Sequence, residues 1–389
     1  TTGGATSSAG ATDTATLRGV STATGSMTTA REFHTATLLS GGKVLIAGGL
    51  DASGNYLASA ELYDPVAGTF TATGSMTAAR SGHTATFLFN GKVLIAGGEV
   101  NDFGLYASFS AELYDPTFGT FTAVGAATAA KPGHTATLLP NGNVLVAGGV
   151  GFYGSDEGGG PVAFADAEIY IPSPGGFTTT GNMTVTRGGH GATLLPNGKV
   201  LIVGGELMNY TSNTYVALAS AETYDPTAGA FAATGSMTTA RKFPTTTLLP
   251  SGKVLVAGGL DGSNLIATAE MLPSPGGLDG STVLESAELY DPTAGTFAAT
   301  GSMTTARVGY TATWLPSLGV LVAGGLDGTD VSASAELYDP TAGTFAAAGN
   351  MTTARYDHTA TLLSSGKVLI AGGSSGVAPL ASAELYEYP

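Results

Sequence analysis

The sequence contains no cysteine, little charge and no long hydrophobic run, and each absence excludes a class of protein. Without cysteine the chain forms neither disulfide bonds nor thiolate metal sites. No stretch approaches the roughly 18 consecutive apolar residues that a membrane-spanning helix needs. Lysine and arginine total 14 against 29 acidic residues, and the net charge of −15 repels phosphate backbones and anionic lipids. We therefore expect neither nucleic-acid binding nor membrane insertion.

What the chain has instead is glycine and small residues. It contains 59 glycines, 43% apolar residues and only 11% charged ones, a composition typical of an all-β protein with many tight turns. The stretch from Thr1 to Ala11 is rich in Thr, Gly, Ser and Ala and resembles the linker that follows a cleaved export signal. We interpret residues 1–16 as such a linker and expect a secreted or cell-surface protein, of bacterial origin.

A Gly-Gly doublet recurs along the chain and marks an internal repeat, which decides how the whole sequence is interpreted. Seven copies stand 48 to 66 residues apart. The doublets are Gly48-Gly49, Gly97-Gly98, Gly148-Gly149, Gly204-Gly205, Gly258-Gly259, Gly324-Gly325 and Gly372-Gly373.

The second repeat shows the whole unit. Two apolar segments, His83 to Phe89 and Lys92 to Gly98, are separated by Asn90-Gly91, a dipeptide typical of a hairpin turn with positive φ. Ala111 to Pro116 and Gly119 to Ala123 predict two further strands, joined by an Asp-Pro-x-x-Gly turn. A four-stranded meander repeated seven times predicts a β-propeller of seven blades.

A spaced Glu-x-Tyr in the third segment completes the pattern. Gly-Gly after an apolar strand, followed by Glu-x-Tyr, resembles the kelch repeat in its bacterial, galactose-oxidase-like form, from about Ser21 to Tyr386. The pairs are Glu61/Tyr63, Glu112/Tyr114, Glu168/Tyr170, Glu222/Tyr224, Glu288/Tyr290, Glu336/Tyr338 and Glu384/Tyr386. The resemblance implies an all-β fold, a seven-bladed β-propeller of four-stranded antiparallel blades.

The two ends of the chain predict how the ring closes. The last repeat ends near Tyr386 without a fourth strand, whereas Ser21 to Gly25 matches the fourth-strand segment Phe70 to Gly74. We therefore expect residues of about 17–25 to complete the last blade, so that the N-terminal strand closes the ring and removes an open sheet edge. Residues 1–389 then form a single domain.

The galactose-oxidase resemblance also implies an enzymatic alternative. Copper chemistry of that type requires a cysteine-linked tyrosine and histidine ligands outside the repeat positions, and the sequence has neither. No Gly-x-Ser-x-Gly, HExxH or Walker motif is present either. We therefore predict that the chain is not an enzyme and has no catalytic residues.

Repeated polar positions predict a framework rather than a site. An arginine or lysine recurs in every repeat, and three residues later five repeats place a histidine, where the other two have Pro244 and Tyr310. We expect the cations and the repeated glutamates to form buried charge pairs, and the dispersed histidines to bind no metal. The cations are Arg31, Arg80, Lys131, Arg187, Arg241, Arg307 and Arg355, and the histidines are His34, His83, His134, His190 and His358.

The repeats differ mainly between Gly-Gly and the third strand, where blades 2 to 5 carry the longest loops. Loops held by a rigid scaffold commonly bind ligands. The candidate ligand-binding residues are Asn101, Asp102, Phe103, Tyr106, Phe152, Tyr153, Asp156, Tyr210 and Tyr215. Their aromatic rings and polar groups suit stacking and orientation of a glycan or a protein. The open alternative is that the rings pack inside their own loops.

Three functional hypotheses follow. The first is an exported, non-catalytic module that binds a glycan or protein through these loops. The second is a self-associating building block of a surface layer, matrix or filament, and the third an enzyme of unrecognised type. No cofactor is predicted except Ca²⁺, for which oxygen ligands follow the doublets at Asp51, Glu99, Glu206, Asp261 and Asp327.

Overall fold

The computed structural model describes residues 19–100, 109–152, 161–209, 214–264 and 282–388. Within these ranges the chain forms strands and turns, and none of it is a helix of the length and apolarity needed to span a membrane. Seven antiparallel sheets of four strands each surround one axis. The predicted all-β, seven-bladed propeller is confirmed.

The first three blades contain the following strands, numbered along the chain. β1 (Val20–Ala23) precedes blade 1, which consists of β2 (Thr35–Leu38), β3 (Val44–Ala47), β4 (Ala60–Asp64) and β5 (Thr69–Ala72). Blade 2 consists of β6 (Thr84–Phe87), β7 (Val93–Ala96), β8 (Ser110–Asp115) and β9 (Thr120–Ala126). Blade 3 consists of β10 (Thr135–Leu138), β11 (Val144–Ala147), β14 (Ala167–Ile171) and β15 (Gly176–Thr179), with β12 (Val150–Phe152) and β13 (Pro161–Ala163) in its loop.

The remaining four blades continue the series. Blade 4 consists of β16 (Gly191–Leu194), β17 (Val200–Val203), β20 (Ala221–Asp225) and β21 (Ala230–Ala233), with β18 (Glu206–Asn209) and β19 (Thr214–Ala217) in its loop. Blade 5 consists of β22 (Thr245–Leu248), β23 (Val254–Ala257), β25 (Ala287–Asp291) and β26 (Thr296–Ala299), with β24 (Ser263–Asn264) in its loop. Blade 6 consists of β27 (Thr311–Leu315), β28 (Gly319–Ala323), β29 (Ala335–Asp339) and β30 (Thr344–Ala347). Blade 7 consists of β31 (Thr359–Leu362), β32 (Val368–Ala371) and β33 (Ala383–Glu387), together with β1.

The core lies between blades, and the second strand of each blade supplies most of it. Every residue of β3 is buried, as a continuous apolar run predicts for a strand covered on both faces. Successive side chains of a strand point to opposite faces. Val44 and Ile46 accordingly pack against blade 7, whereas Leu45 and Ala47 pack against blade 2. Each second strand thus joins two blade-to-blade cores.

The repeated tyrosine joins adjacent blades as well. In blade 1 the ring of Tyr63 is fully buried and packs against Phe70, with ring centroids 4.8 Å apart. Its hydroxyl lies 2.9 Å from Oγ1 of Thr24, next to the outer strand of blade 7. The tyrosines of blades 2, 4, 5 and 6 make the same contact to a threonine. In blade 3 the buried hydroxyl of Tyr170 has no partner among the described residues.

The N-terminal strand closes the ring as predicted. β1 pairs antiparallel with β33, and Val20 lies opposite Glu387 and Ala23 opposite Glu384. Oγ of Ser21 also donates a hydrogen bond of 2.7 Å to Oε2 of Glu384. The pairing covers the backbone edge of β33, which would otherwise be open to strand addition.

The two faces of the disc are built differently. One face carries the tight turns; there Gly91 has φ 81°, and Oδ1 of Asp115 accepts a hydrogen bond from N of Thr117. We call it the turn face. The opposite face carries the Gly-Gly doublets and the long loops, and we call it the loop face. The innermost strands also begin on the loop face, because Thr35 pairs with Ala47 immediately before Gly48.

Candidate functional site

Each repeated arginine forms an ion pair and hydrogen bonds within its own blade. In blade 2, Nη1 of Arg80 donates to the carbonyls of Gly97 and Ser110, and Nη2 lies 3.0 Å from Oε1 of Glu112. Glu112 also accepts a hydrogen bond of 2.8 Å from N of Thr77. In blade 3 the predicted pair is absent, because Lys131 pairs with Asp166 rather than with Glu168. The other six blades share the buried pair, as predicted. The pairs are Arg31–Glu61, Arg80–Glu112, Arg187–Glu222, Arg241–Glu288, Arg307–Glu336 and Arg355–Glu384.

The histidines form a belt around the axis rather than a cluster. Each bonds through Nε2 to the threonine that begins the innermost strand of the preceding blade, as His83 does to Thr35 at 2.9 Å. Tyr310 replaces the histidine in blade 6, and its hydroxyl lies 2.7 Å from Oγ1 of Thr245. The belt is interrupted between blades 4 and 5. Gly191 stands there in place of the threonine, and Pro244 stands in place of the histidine.

Burial keeps these imidazoles neutral. It lowers the pKa of His34 to about 3, with the charge of Arg31 adding to the effect, and lowers the pKa of His134 to about 4. An imidazole that titrates so low is not an acid–base group at neutral pH. Among the described residues, no three His, Asp or Glu side chains converge in a way that suits a metal ion. The contacts that the belt histidines make join each of their blades to the preceding one.

Inside the belt, at the loop-face mouth of the axis, lies a cavity of about 350 Å³. The residue just before the belt position lines this cavity in six blades, and in all seven blades it has a positive φ. Four blades place glycine there, whereas the other three place Phe33, Phe243 and Asp357. Backbone hydrogen bonds link neighbouring blades at this level, such as N of Asp357 to O of Gly309 at 2.8 Å. Phe33, Phe243, Tyr310, Asp357 and His358 all line the cavity.

Asp357 is the acid of this cavity. Its Oδ2 is buried and has no hydrogen-bond partner in the part of the chain that the structure describes. Burial raises the pKa of this carboxyl well above its usual range, and the negative charge of Glu32 in the next blade raises it further. Phe33, Phe243 and Asp357 are not among the residues that the sequence pattern predicts for a site. The available signal was three side chains at a position where the other repeats have glycine.

The long loops of blades 3 to 5 form a second layer on the loop face. β12 pairs with β13, and β18, β19 and β24 form a small sheet. β13 also contacts β18, so the loop strands of blades 3 and 4 adjoin. The loops of three consecutive blades are thus tied together.

Of the nine predicted ligand residues, only Phe152 and Tyr215 lie in the part of the chain that the structure describes. Asn101, Asp102, Phe103, Tyr106, Tyr153, Asp156 and Tyr210 lie outside the described residues. Phe152 ends β12, where its backbone lies opposite Pro161. Tyr215 is only 3% exposed within β19, so its ring offers no stacking face and agrees with the alternative that loop aromatics pack inside their own loops.

The acids proposed for calcium take part in local contacts. Asp51 accepts hydrogen bonds from N of Ser53 and N of Asn55, and the bonds from Asn55 chiefly hold the pKa of Asp51 below its usual value. Glu206 is buried, 3.4 Å from Nζ of Lys242. Neither of these contacts involves another of the five acids, and calcium binding stays a prediction.

Comparisons with known proteins agree with this architecture. The family model described as the Kelch motif matches residues 34–77. No curated protein matches the chain. One similar solved structure is described as a novel fungal alcohol oxidase with catalytic diversity among the AA5 family, in complex with copper. It is 15% identical, with a TM-score of 0.69, and the match covers 96% of this chain and 76% of that one.

At that identity the likeness shows the fold alone, and whether copper fits depends on the residues present. The chain has no cysteine, and each of its five histidines occupies a separate blade in the belt. These residues do not fit a copper centre of the type that the galactose-oxidase resemblance implies. The closed ring of seven repeats makes the chain a seven-bladed β-propeller, and its repeats are kelch-like, with residues 34–77 matching the Kelch motif itself.

Proposed function

We propose that this chain is an exported, non-catalytic binding module that recognises a partner protein on the loop face. The kelch propeller itself favours an interaction scaffold. The observation that carries the proposal is the loop layer of blades 3 to 5, in which β12, β13, β18, β19 and β24 tie three loops into one surface. Strands held by a rigid disc lose little conformational entropy when a partner binds.

The position of the predicted ligand residues in the chain supports this surface. Tyr153 directly follows β12 and Tyr210 directly follows β18, so each is one peptide bond from a strand of the layer. The cavity described above lies at the axis rather than among these strands. A broad layer of paired strands suits a protein surface.

The test is a binding comparison with matched variants. The immobilised full chain is offered to candidate exported proteins and, separately, to a glycan array. We expect Tyr153→Ala and Tyr210→Ala to reduce protein capture at least severalfold, and Phe118→Ala, a 76% exposed ring on the turn face, to leave it unchanged. Capture that all three variants retain would reject the loop-face site. Binding to the array alone would make the partner a glycan, and sedimentation showing only self-assembly would favour the building-block alternative.

A further inference from the structure

The axial cavity has features that the framework does not need. Phe33 and Phe243 each have φ 52° and Asp357 has φ 51°, in the left-handed region that side chains other than glycine rarely adopt. Four blades avoid the strain by placing glycine at this position. Strained residues of this kind cluster at binding and catalytic sites, where the side chain itself is required.

The two phenylalanines enter the cavity from blades that are not neighbours, blade 1 and blade 5. The ring of Phe243 lies over Gly189 of blade 4, where a Cβ atom would come within 2.4 Å of it. The same ring packs against the buried cluster that contains Leu260 and Val308. Neighbouring blades therefore hold the Phe243 ring in place at the cavity wall.

The acid that lines the cavity is Asp357. Its Oδ2 is buried and lacks a partner among the described residues. Burial and the negative charge of Glu32 raise the pKa of this carboxyl while the cavity is empty, and a cation bound beside it would favour the ionised form. The nearby cations are committed elsewhere: Arg355 pairs with Glu384, and Lys242 pairs with Glu206. His358, which also lines the cavity, is neutral because burial lowers its pKa to about 3.

From this arrangement we propose that the axial cavity binds an organic cation, an ammonium or guanidinium group, against the rings of Phe33 and Phe243 with Asp357 as its counter-ion. Aromatic faces attract cations, and the attraction is stronger where water is excluded. A volume of about 350 Å³ suits a small ligand or one inserted side chain. The net charge of −15 favours the approach of a cation over that of an anion.

A metal ion fits the same cavity poorly. Hard cations need about six oxygen ligands, and the described residues bring no group of three acids or histidines to one point. An organic cation needs only one carboxylate and a ring face, both of which line the cavity. The site does not depend on the loop-face partner, because its residues lie on the blades themselves.

Calorimetry on the full chain tests the chemistry with a matched pair of probes. Butylguanidinium and butylurea have similar shapes and differ in charge, and butyrate supplies the opposite charge. We expect butylguanidinium to bind and the other two not to bind. The peptide Gly-Arg-Gly amide distinguishes the sources: if it also binds, the cavity accepts an arginine side chain of a partner, and if it does not, the ligand is a free small cation. Equal binding of butylguanidinium and butylurea would overturn the proposal.

Two variants separate binding from folding. Asp357→Asn keeps the size of the side chain and tolerates the left-handed backbone, and we expect about tenfold weaker binding of butylguanidinium. Phe33→Gly installs the residue that four blades already have. It should weaken binding severalfold while the urea midpoint of unfolding stays unchanged or rises, because the backbone strain is removed. Unchanged affinity in Asp357→Asn would refute the counter-ion role, whatever the stability of Phe33→Gly.

Discussion

Nζ of Lys131 lies 2.9 Å from Oδ2 of Asp166, at two positions where every other blade has arginine and serine. The ammonium also lies 4.1 Å from the ring centroid of Phe164. Glu168, which an arginine would have bound, instead accepts hydrogen bonds from Oγ1 of Thr128 and N of Ala129. In blade 3 the buried cation is thus neutralised by Asp166 rather than by the repeated glutamate. The loop of the same blade holds β12 and β13.

Because Lys131 and Asp166 together replace the arginine and serine of the other blades, we expect substitutions at these two positions to have coupled effects on the free energy of unfolding. Asp166→Ser removes the counter-ion of a Lys131 side chain that is only 8% exposed, and we expect a loss of about 1–2 kcal/mol in the free energy of unfolding. The double variant Lys131→Arg/Asp166→Ser restores the pattern of the other blades and should recover at least half of that loss. Urea denaturation of the single and double variants measures the coupling. Strictly additive effects would show that the two positions are independent.

Replacing a buried arginine should lower the free energy of unfolding more than replacing a surface lysine. Blade 2 offers a matched pair: Arg80 is fully buried against Glu112, whereas Lys92 is 40% exposed and lies 3.0 Å from Asp115. Arg80→Met leaves a buried carboxylate without its cation and should cost about 3–5 kcal/mol. Lys92→Met should cost less than about 1 kcal/mol. Equal losses in chemical denaturation would contradict the buried network as the source of stability.

The histidine belt predicts sensitivity to mild acid. The pKa of His34 is lowered from 6.5 to about 3 in the folded chain, and His190 and His358 behave alike. Between about pH 3 and 6.5 the unfolded chain therefore binds more protons than the folded one. The free energy of unfolding should fall as the pH drops below about 6.5 and level off, for these groups, near pH 3. Urea midpoints measured from pH 8 to 4 show this dependence.

A substitution that the chain already contains isolates the histidine contribution. Tyr310 occupies a belt position and bonds to Thr245 without titrating in this range, because burial raises its pKa to about 12. His358→Tyr should keep the bond to Thr311 and make the pH dependence shallower by one proton. An unchanged slope between pH 6 and 4 would assign the acid sensitivity to other groups.

Because β1 closes the ring, we expect stability to depend on whether an N-terminal truncation leaves β1 in place. A variant that begins at Gly19 keeps the pairing of β1 with β33, whereas one that begins at Thr24 removes it. We expect the second variant to lose several kcal/mol of stability and to self-associate through the exposed edge of β33. Size-exclusion chromatography and thermal unfolding compare the two. A monomeric, equally stable Thr24 variant would show that the ring does not need β1.

Most of the fold follows from the repeat pattern. Local features such as Asn90-Gly91 and the apolar run of β7 determine hairpins, because turn geometry and strand burial depend on nearby residues. The framework role of Arg80 and Glu112 was predictable for a related reason, since a residue that recurs in each blade serves the blade. The loop aromatics were not predictable in the same way: Tyr215 is buried because β19 pairs with β18 and β24, and β24 belongs to another blade.

The sequence alone determined the blade, the number of blades and the closure by β1, because these depend on periodic patterns and on matching ends. Only the tertiary structure decided the axial site. Phe33, Phe243 and Asp357 are far apart in the chain, and each looks like a minor departure from a glycine position. They line one cavity because seven blades closing around one axis place the same repeat position of each blade near that axis. No local sequence pattern encodes this arrangement.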